Sequence, residues 1–219
     1  MEKMRTALLL VSALAAFAQA PSTPTAAPKK PAAPKSAEAA PAKNFKLSGS
    51  PSAACTIEIY TDYECPHCRR LYLETMPEIL TKYLNTNKIQ VLHRDFPLPG
   101  HQYSKLAARY ANAAGQIGKY EMAVTQIFTT QADWSQNGNI DGAMAKVFAQ
   151  ADMVKIREMV KNDSHLDDSV TADFAMGQKD GLTETPTIMI VKGGKRERIS
   201  GFMPANILGS YLDQKLAQK

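Results

Sequence analysis

A chain of 219 residues with 44% hydrophobic and 21% charged residues is long enough to bury one sizeable core. Its composition is close to that of soluble globular proteins, which excludes a chain disordered throughout. The net charge of +5 is no sign of a nucleic-acid surface, because the first 46 residues hold 7 basic and 2 acidic side chains while the remainder is balanced; a basic tail serves solubility or weak attraction to anionic surfaces, and no nucleic-acid partner is expected.

Lys3 and Arg5 precede an apolar run from Ala7 to Phe17, with small residues at Ala16, Ala18 and Ala20. The run is shorter than the roughly 18–20 residues that span a bilayer and fits the hydrophobic region of an export signal. The expectation is a cleavable signal peptide over 1–18, hence a periplasmic or otherwise extracytoplasmic protein; an uncleaved anchor is the alternative. From Pro21 to Lys43 the chain is mostly Pro, Ala, Lys, Ser and Thr and holds six of the thirteen prolines. Such a stretch favours extended, semi-rigid conformations and builds no core. It reads as a linker over 19–46, followed by one domain over 47–219.

In that domain Thr56–Thr61 is β-branched and aromatic and runs directly into Cys65-Pro66-His67-Cys68, which reads as strand, turn, helix. Apolar residues at Tyr72/Leu73, Met76, Ile79/Leu80 and Tyr83/Leu84 then recur at helical spacing, with a kink expected at Pro77. Ile89–Phe96 is the next strand, stopped by Pro97-Leu98-Pro99-Gly100. From His101 to Gly181 only helical patterns appear, near 103–116, 119–131, 140–150, 152–161 and 165–180. Thr187–Val191 and Arg196–Ser200 form a hairpin about Lys192-Gly193-Gly194-Lys195, and Asn206–Leu216 closes as a helix. The order β-α-β, helical block, β-β-α gives an α/β sheet with helices on both faces and an all-helical insertion at about 101–181.

Two of the three cysteines form Cys65-x-x-Cys68 where a strand meets a helix. A helix start offers unpaired N–H groups and the positive end of the macrodipole, both of which favour a thiolate at Cys65. Pro66 fits the first turn, where its missing N–H would have gone unpaired. His67 offers a second lever, as a cation or ring N–H donor beside the sulfur. A zinc site would need four ligands and the chain adds only Cys55 and four scattered histidines; a c-type haem would need His where Arg69 stands; a structural disulfide closing so small a ring gains little. No metal and no cofactor is expected.

Cys65-Pro66-His67-Cys68 between strand and helix, with Thr185-Pro186-Thr187 opening a late strand in an exported chain, resembles the DsbA-like periplasmic thiol:disulfide oxidoreductases of the thioredoxin superfamily. The runs TDYECPHC, RDFPLPGH and ETPTIMIVKGGK resemble its Thioredoxin_4 branch. The resemblance implies a thioredoxin fold, a redox-active Cys65–Cys68 disulfide with Cys65 the exposed nucleophile and Cys68 its resolving partner, and a cis bond before Pro186 that would let Thr185 pair with an extended substrate. The expected function is donation of the disulfide to cysteine-bearing exported proteins as they fold, with a membrane redox partner to restore it. The alternatives are a reductase or isomerase on the same fold, or a non-catalytic peptide-binding or chaperone module.

Relatives carry an acidic residue six positions before the first cysteine, where this chain has Ile59, and alternation turns neighbouring Glu58 to the opposite face. Glu58 is expected to be ion-paired or at the surface, the alternative being that a slipped register or bulge returns it to the sulfur side as a proton relay. Asp62 and Glu64 are expected as solvated loop carboxylates, because negative charge there opposes a thiolate. Cys55 reads as a small buried hydrophobe or a reactive spare, and His93 and His101 as strand-end and helix-start residues.

Overall fold

A computed structural model describes residues 44–218; the expected signal peptide and the linker up to residue 43 lie outside them. The elements in chain order are β1 (Leu47–Gly49), β2 (Cys55–Thr61), α1 (Pro66–Arg70), α2 (Met76–Ile79), β3 (Ile89–Asp95), α3 (Ser104–Gln116), α4 (Tyr120–Thr129), α5 (Gln131–Trp134), α6 (Ile140–Met144), α7 (Gln150–Asn162), α8 (His165–Lys179), β4 (Thr187–Lys192), β5 (Lys195–Ser200) and α9 (Ala205–Ala217). The strands form one sheet in the order β1-β3-β2-β4-β5. β2 runs parallel to β3, and the β2–β4, β4–β5 and β1–β3 pairs are antiparallel. This is the thioredoxin-like arrangement, with α3 to α8 inserted between β3 and β4.

Alternation along β2 sorts its side chains between two layers. Ile57 and Ile59 pack on Ile79, Tyr83, Leu208 and Leu212, the layer formed by α2, the turn after it and α9. Tyr60 faces the other way, to Phe96, Leu182 and Met189, with Phe174 of α8 against them. Each fully buried residue of this size contributes about 1.5–3 kcal/mol. The third cluster is the core of the helical insertion, built on Trp134, Phe128, Ile127 and Met144, and both Cys65 and Cys68 belong to it. The dithiol therefore sits where sheet and insertion meet.

Three local features differ from the sequence pattern or refine it. At Pro77 the helix changes character: the runs Leu71–Thr75 and Leu80–Leu84 on either side of α2 are π-helical, and the Met76 N–H donates to the Leu71 carbonyl five residues back. The wider turn takes up the ladder at the point where Pro77 has no N–H to give. The expected helices at 119–131 and 140–150 each stop early, at Thr129 and Met144, before the next element starts. β1 does not show in the sequence pattern, because two half-buried residues and an exposed glycine carry no readable alternation. The hairpin turn is as expected: Gly193 and Gly194 both have positive φ, 55° and 77°, as the tight turn between right-twisted strands requires.

The linker boundary at 46 is corrected. Phe45 packs against Gly115 and Tyr120, and Lys46, 4% exposed, donates from Nζ to Asp95 at 2.5 Å, Asp173 at 2.8 Å and Ser169 at 2.9 Å. Burial opposes the ammonium, but the two carboxylates outweigh it and hold the Lys46 pKa above its ordinary value. Around it Asn112 donates to Asp95, Arg94 bridges Asp173 and Glu58, and Arg196 bridges Glu58 and Asp180. Removing one member of a buried pair leaves the rest uncompensated. Lys46→Met is expected to lower the unfolding free energy by about 3–5 kcal/mol, read as a lower urea midpoint; an unchanged midpoint would show the network to be ornamental.

Candidate active site

Strand β2 ends at Thr61, and residues 62–65 turn the chain into α1. Cys65 is the residue that caps this helix, with extended backbone (φ −70°, ψ 120°), and Pro66 follows in the first turn. An N-cap sulfur in this conformation faces the N–H groups of the first turn. Cys65 is held well below the usual thiol range, with a pKa of about 5. The largest cause is the hydrogen bond from the Cys68 thiol; burial opposes it, and the Cys68 N–H, the Thr185 hydroxyl and the His67 N–H add to it. Cys68 moves far the other way, raised by burial and by the neighbouring Cys65 sulfur. Its Sγ accepts from the Asp62 N–H at 3.4 Å.

The two sulfurs differ in hydrogen bonding more than in exposure. Cys65, expected to be exposed, is 5% exposed and Cys68 2%. Cys65 Sγ lies 3.3 Å from the carbonyl oxygen of Thr185, which covers it. Pro66 and His67 beside it are exposed. His67 lowers the Cys65 pKa through its backbone N–H, and its side chain is exposed. All three cysteines are free thiols, and Cys55 is buried at the start of β2, away from the pair.

The Thr185–Pro186 bond is cis, and Thr185, Pro186 and Thr187 are buried against the dithiol at the head of β4. The Thr185 hydroxyl is buried without a hydrogen-bond partner in the dithiol form, so its proton is available to a Cys65 thiolate. Glu58 lies on the far face of the sheet, 3.1 Å from Arg94 and 2.5 Å from Arg196, in regular register on both ladders. It does not reach the sulfurs.

Asp62 is not a solvated loop carboxylate. It is fully buried: Oδ1 accepts from the N–H groups of Glu64 at 2.7 Å and Cys65 at 3.2 Å, and Oδ2 lies 2.6 Å from the Leu98 N–H and 2.8 Å from His101 Nδ1. Glu64 is half-buried and accepts from the Tyr103 N–H at 2.5 Å. The solvated assignment fails because the loop closing β3 folds over the start of α1 and supplies the donors. From the insertion, buried Gln131 of α5 donates to the carbonyls of Tyr63 at 2.7 Å and Cys65 at 3.1 Å, and Arg69 donates to Phe128 at 3.0 Å. The Asp62 turn carried a legible cue, an Asx residue just before a helix start; Gln131 carried none. Among the described residues no three His, Cys, Asp or Glu side chains gather as a metal site, and no helix is long and apolar enough to cross a membrane.

The Thioredoxin_4 family model, described as Thioredoxin, matches residues 43–200. The chain belongs to this family. No curated protein matches its sequence. Among solved structures this Thioredoxin_4 protein is similar to alpha-DsbA1 of Wolbachia pipientis, at 21% identity and TM-score 0.67 over 78% of this chain and 90% of that one. It is similar to DsbA2 of Pseudomonas aeruginosa at 24% and 0.63, covering 78% and 94%, and to BdbD of Bacillus subtilis at 19% and 0.68, covering 79% and 93%. At these identities the likeness is one of fold. The chain thus has the Thioredoxin_4 family, the matching fold, and a Cys-x-x-Cys pair with divergent thiols.

The lowered Cys65 pKa links redox state to stability. Between about 5 in the fold and 9.0 for a free thiol the unfolded chain holds a proton that the folded one has released, so stability rises with pH across that window. The reduced protein is expected to gain stability over a Cys65→Ala variant above the folded pKa and to lose that gain as pH falls through about 5, as paired thermal melts would show. Thr185→Val, which removes a donor to the thiolate, is expected to raise the Cys65 pKa, followed by the ultraviolet absorbance of the thiolate against pH.

Proposed function

We propose that this protein is an exported protein-disulfide oxidase, carrying a Cys65–Cys68 disulfide to cysteine-bearing proteins that fold outside the cytoplasm. The observation that carries this is the opposed character of the two thiols, Cys65 lowered to about 5 and Cys68 raised. A substrate thiolate attacks Cys65 Sγ; a substrate–Cys65 bond forms, the Cys65–Cys68 bond breaks, and Cys68 leaves and takes a proton. A second substrate thiolate then attacks the substrate sulfur of the mixed disulfide and expels Cys65 as a thiolate. Two electrons pass to the enzyme and the substrate holds the new disulfide. A leaving group of low pKa departs fast, and a stable thiolate makes the reduced enzyme the favoured product.

The Thr185 backbone beside Cys65 supports an extended substrate segment lying along the head of β4. The apolar run before Phe17 and the proline-rich stretch after it support export and a tether. A membrane protein holding a disulfide of higher potential would restore the oxidised pair.

Equilibration with glutathione is expected to place the Cys65–Cys68 potential near about −120 mV, where strong oxidants lie; a value near about −270 mV would make the protein a reductase. Cys65→Ser is expected to abolish exchange, and Cys68→Ser, which leaves no disulfide to donate, to oxidise no client while its Cys65 thiolate still forms a mixed disulfide by attacking an existing one. Exchange that survives Cys65→Ser would end the proposal.

A further inference from the structure

The oxidase chemistry above leaves a buried acid–base pair unused. Asp62 and His101 come from separate loops, one after β2 and one after β3, and meet at 2.8 Å directly beside the dithiol. Asp62 touches both halves of the active site at once: its N–H donates to Cys68 Sγ, and its Oδ1 accepts from the Cys65 N–H. Its Oδ2 takes the Leu98 N–H and His101. All of this happens at full burial.

Such a carboxylate poses an electrostatic problem. It sits at the same helix end at which the Cys65 thiolate forms, and two like charges in a dry site oppose each other. The half-buried Glu64, directly before Cys65, adds a third acid. The charged and titratable groups that face His101 are Asp62, Glu64 and Cys65, all from the loop before α1. His101 is the ring held on Asp62 among them, and it keeps an edge toward solvent, its side chain 33% exposed.

We propose that His101 is a positioning residue of the dithiol: bound to Asp62, its imidazolium balances the buried carboxylate where the Cys65 thiolate forms, so that protonation of His101 and reduction of the pair are linked. Burial works against the cation, but the hydrogen bond and charge of Asp62, with Glu64 and Cys65 behind them, raise the His101 pKa overall. Linkage is reciprocal. Reduction, which creates the thiolate, raises the His101 pKa further, and protonated His101 makes the disulfide a stronger oxidant.

This inference rests on the Cys65–Cys68 redox pair of the proposed function, and the experiment separates the two. The His101 ring is titrated by NMR in the full mature protein, oxidised and then reduced; its midpoint is expected at higher pH in the reduced form. In His101→Gln, which keeps a polar side chain and loses the charge, the Cys65 thiolate is expected to titrate higher and the glutathione equilibrium to shift about tenfold toward the enzyme disulfide, the equivalent of one pKa unit. The wild-type potential is expected to bend with pH at the His101 midpoint, and the bend to vanish in His101→Gln. Identical His101 midpoints in the two redox states overturn the inference, and that measurement needs no variant to fold. A folded His101→Gln protein with an unchanged thiolate titration overturns it too, while the redox pair stands. A dithiol that does not cycle with glutathione overturns both.

Discussion

A negative sulfur kept at the amino end of a short helix, almost out of reach of water, is the constraint around which the active site is organised. Water solvates an exposed thiolate freely; here that work passes to fixed dipoles. The Cys68 thiol and the N–H groups of the first turn of α1 supply it, and they do so at no reorganisation cost because the helix already points them there. Every other element at the site either holds that turn in place or limits the charge that competes with it. Gln131 ties two of its carbonyls to the helical insertion, and Asp62 ties its N–H groups to the loop after β3. The insertion is thus part of the thiol chemistry, because it fixes the loop that bends the backbone into α1.

The sequence showed some parts of this better than others, for physical reasons. Strands β2 to β5, the hairpin and the dithiol were legible because each rests on a local pattern: β-branched and aromatic residues in Thr56–Thr61, paired glycines at 193 and 194, and a proline one residue after a cysteine. Glu58 was placed correctly by alternation alone, and its partners are Arg94 on the adjacent β3 and Arg196 on β5, across β4. What escaped depends on contacts between distant segments. Whether Asp62 is solvated is decided by Leu98 and His101, 36 and 39 residues away, and no window over TDYECPHC contains them. The exposure of His67 is a matter of side-chain direction at a helix start, which residue type does not reveal.

The start of the folded domain shows the same limit. Lys46 reads as the last residue of a basic, proline-rich stretch, yet its ammonium lies between carboxylates of β3 and α8. Charge counting put it in the tail because composition carries no information about which lysine finds a partner. The chain of alternating charges, buried at Lys46 and open to solvent at Arg196, then crosses the α8 face of the sheet from Lys46 to Asp180. Such networks add little net stability over apolar packing but make a mispaired arrangement costly, and this one fixes how α8 sits on β3 and β5.

Strand β5 has a consequence beyond the fold. It forms one edge of the sheet, and Lys195-Arg196-Glu197-Arg198 leave little of it apolar or covered. An open edge is a template on which extended chains add themselves, and charged side chains discourage such growth. A protein whose dithiol would meet unfolded polypeptides carries that hazard throughout its working life. The charges of β5 discourage any extended chain from lengthening the sheet at this edge, whatever meets the sulfurs.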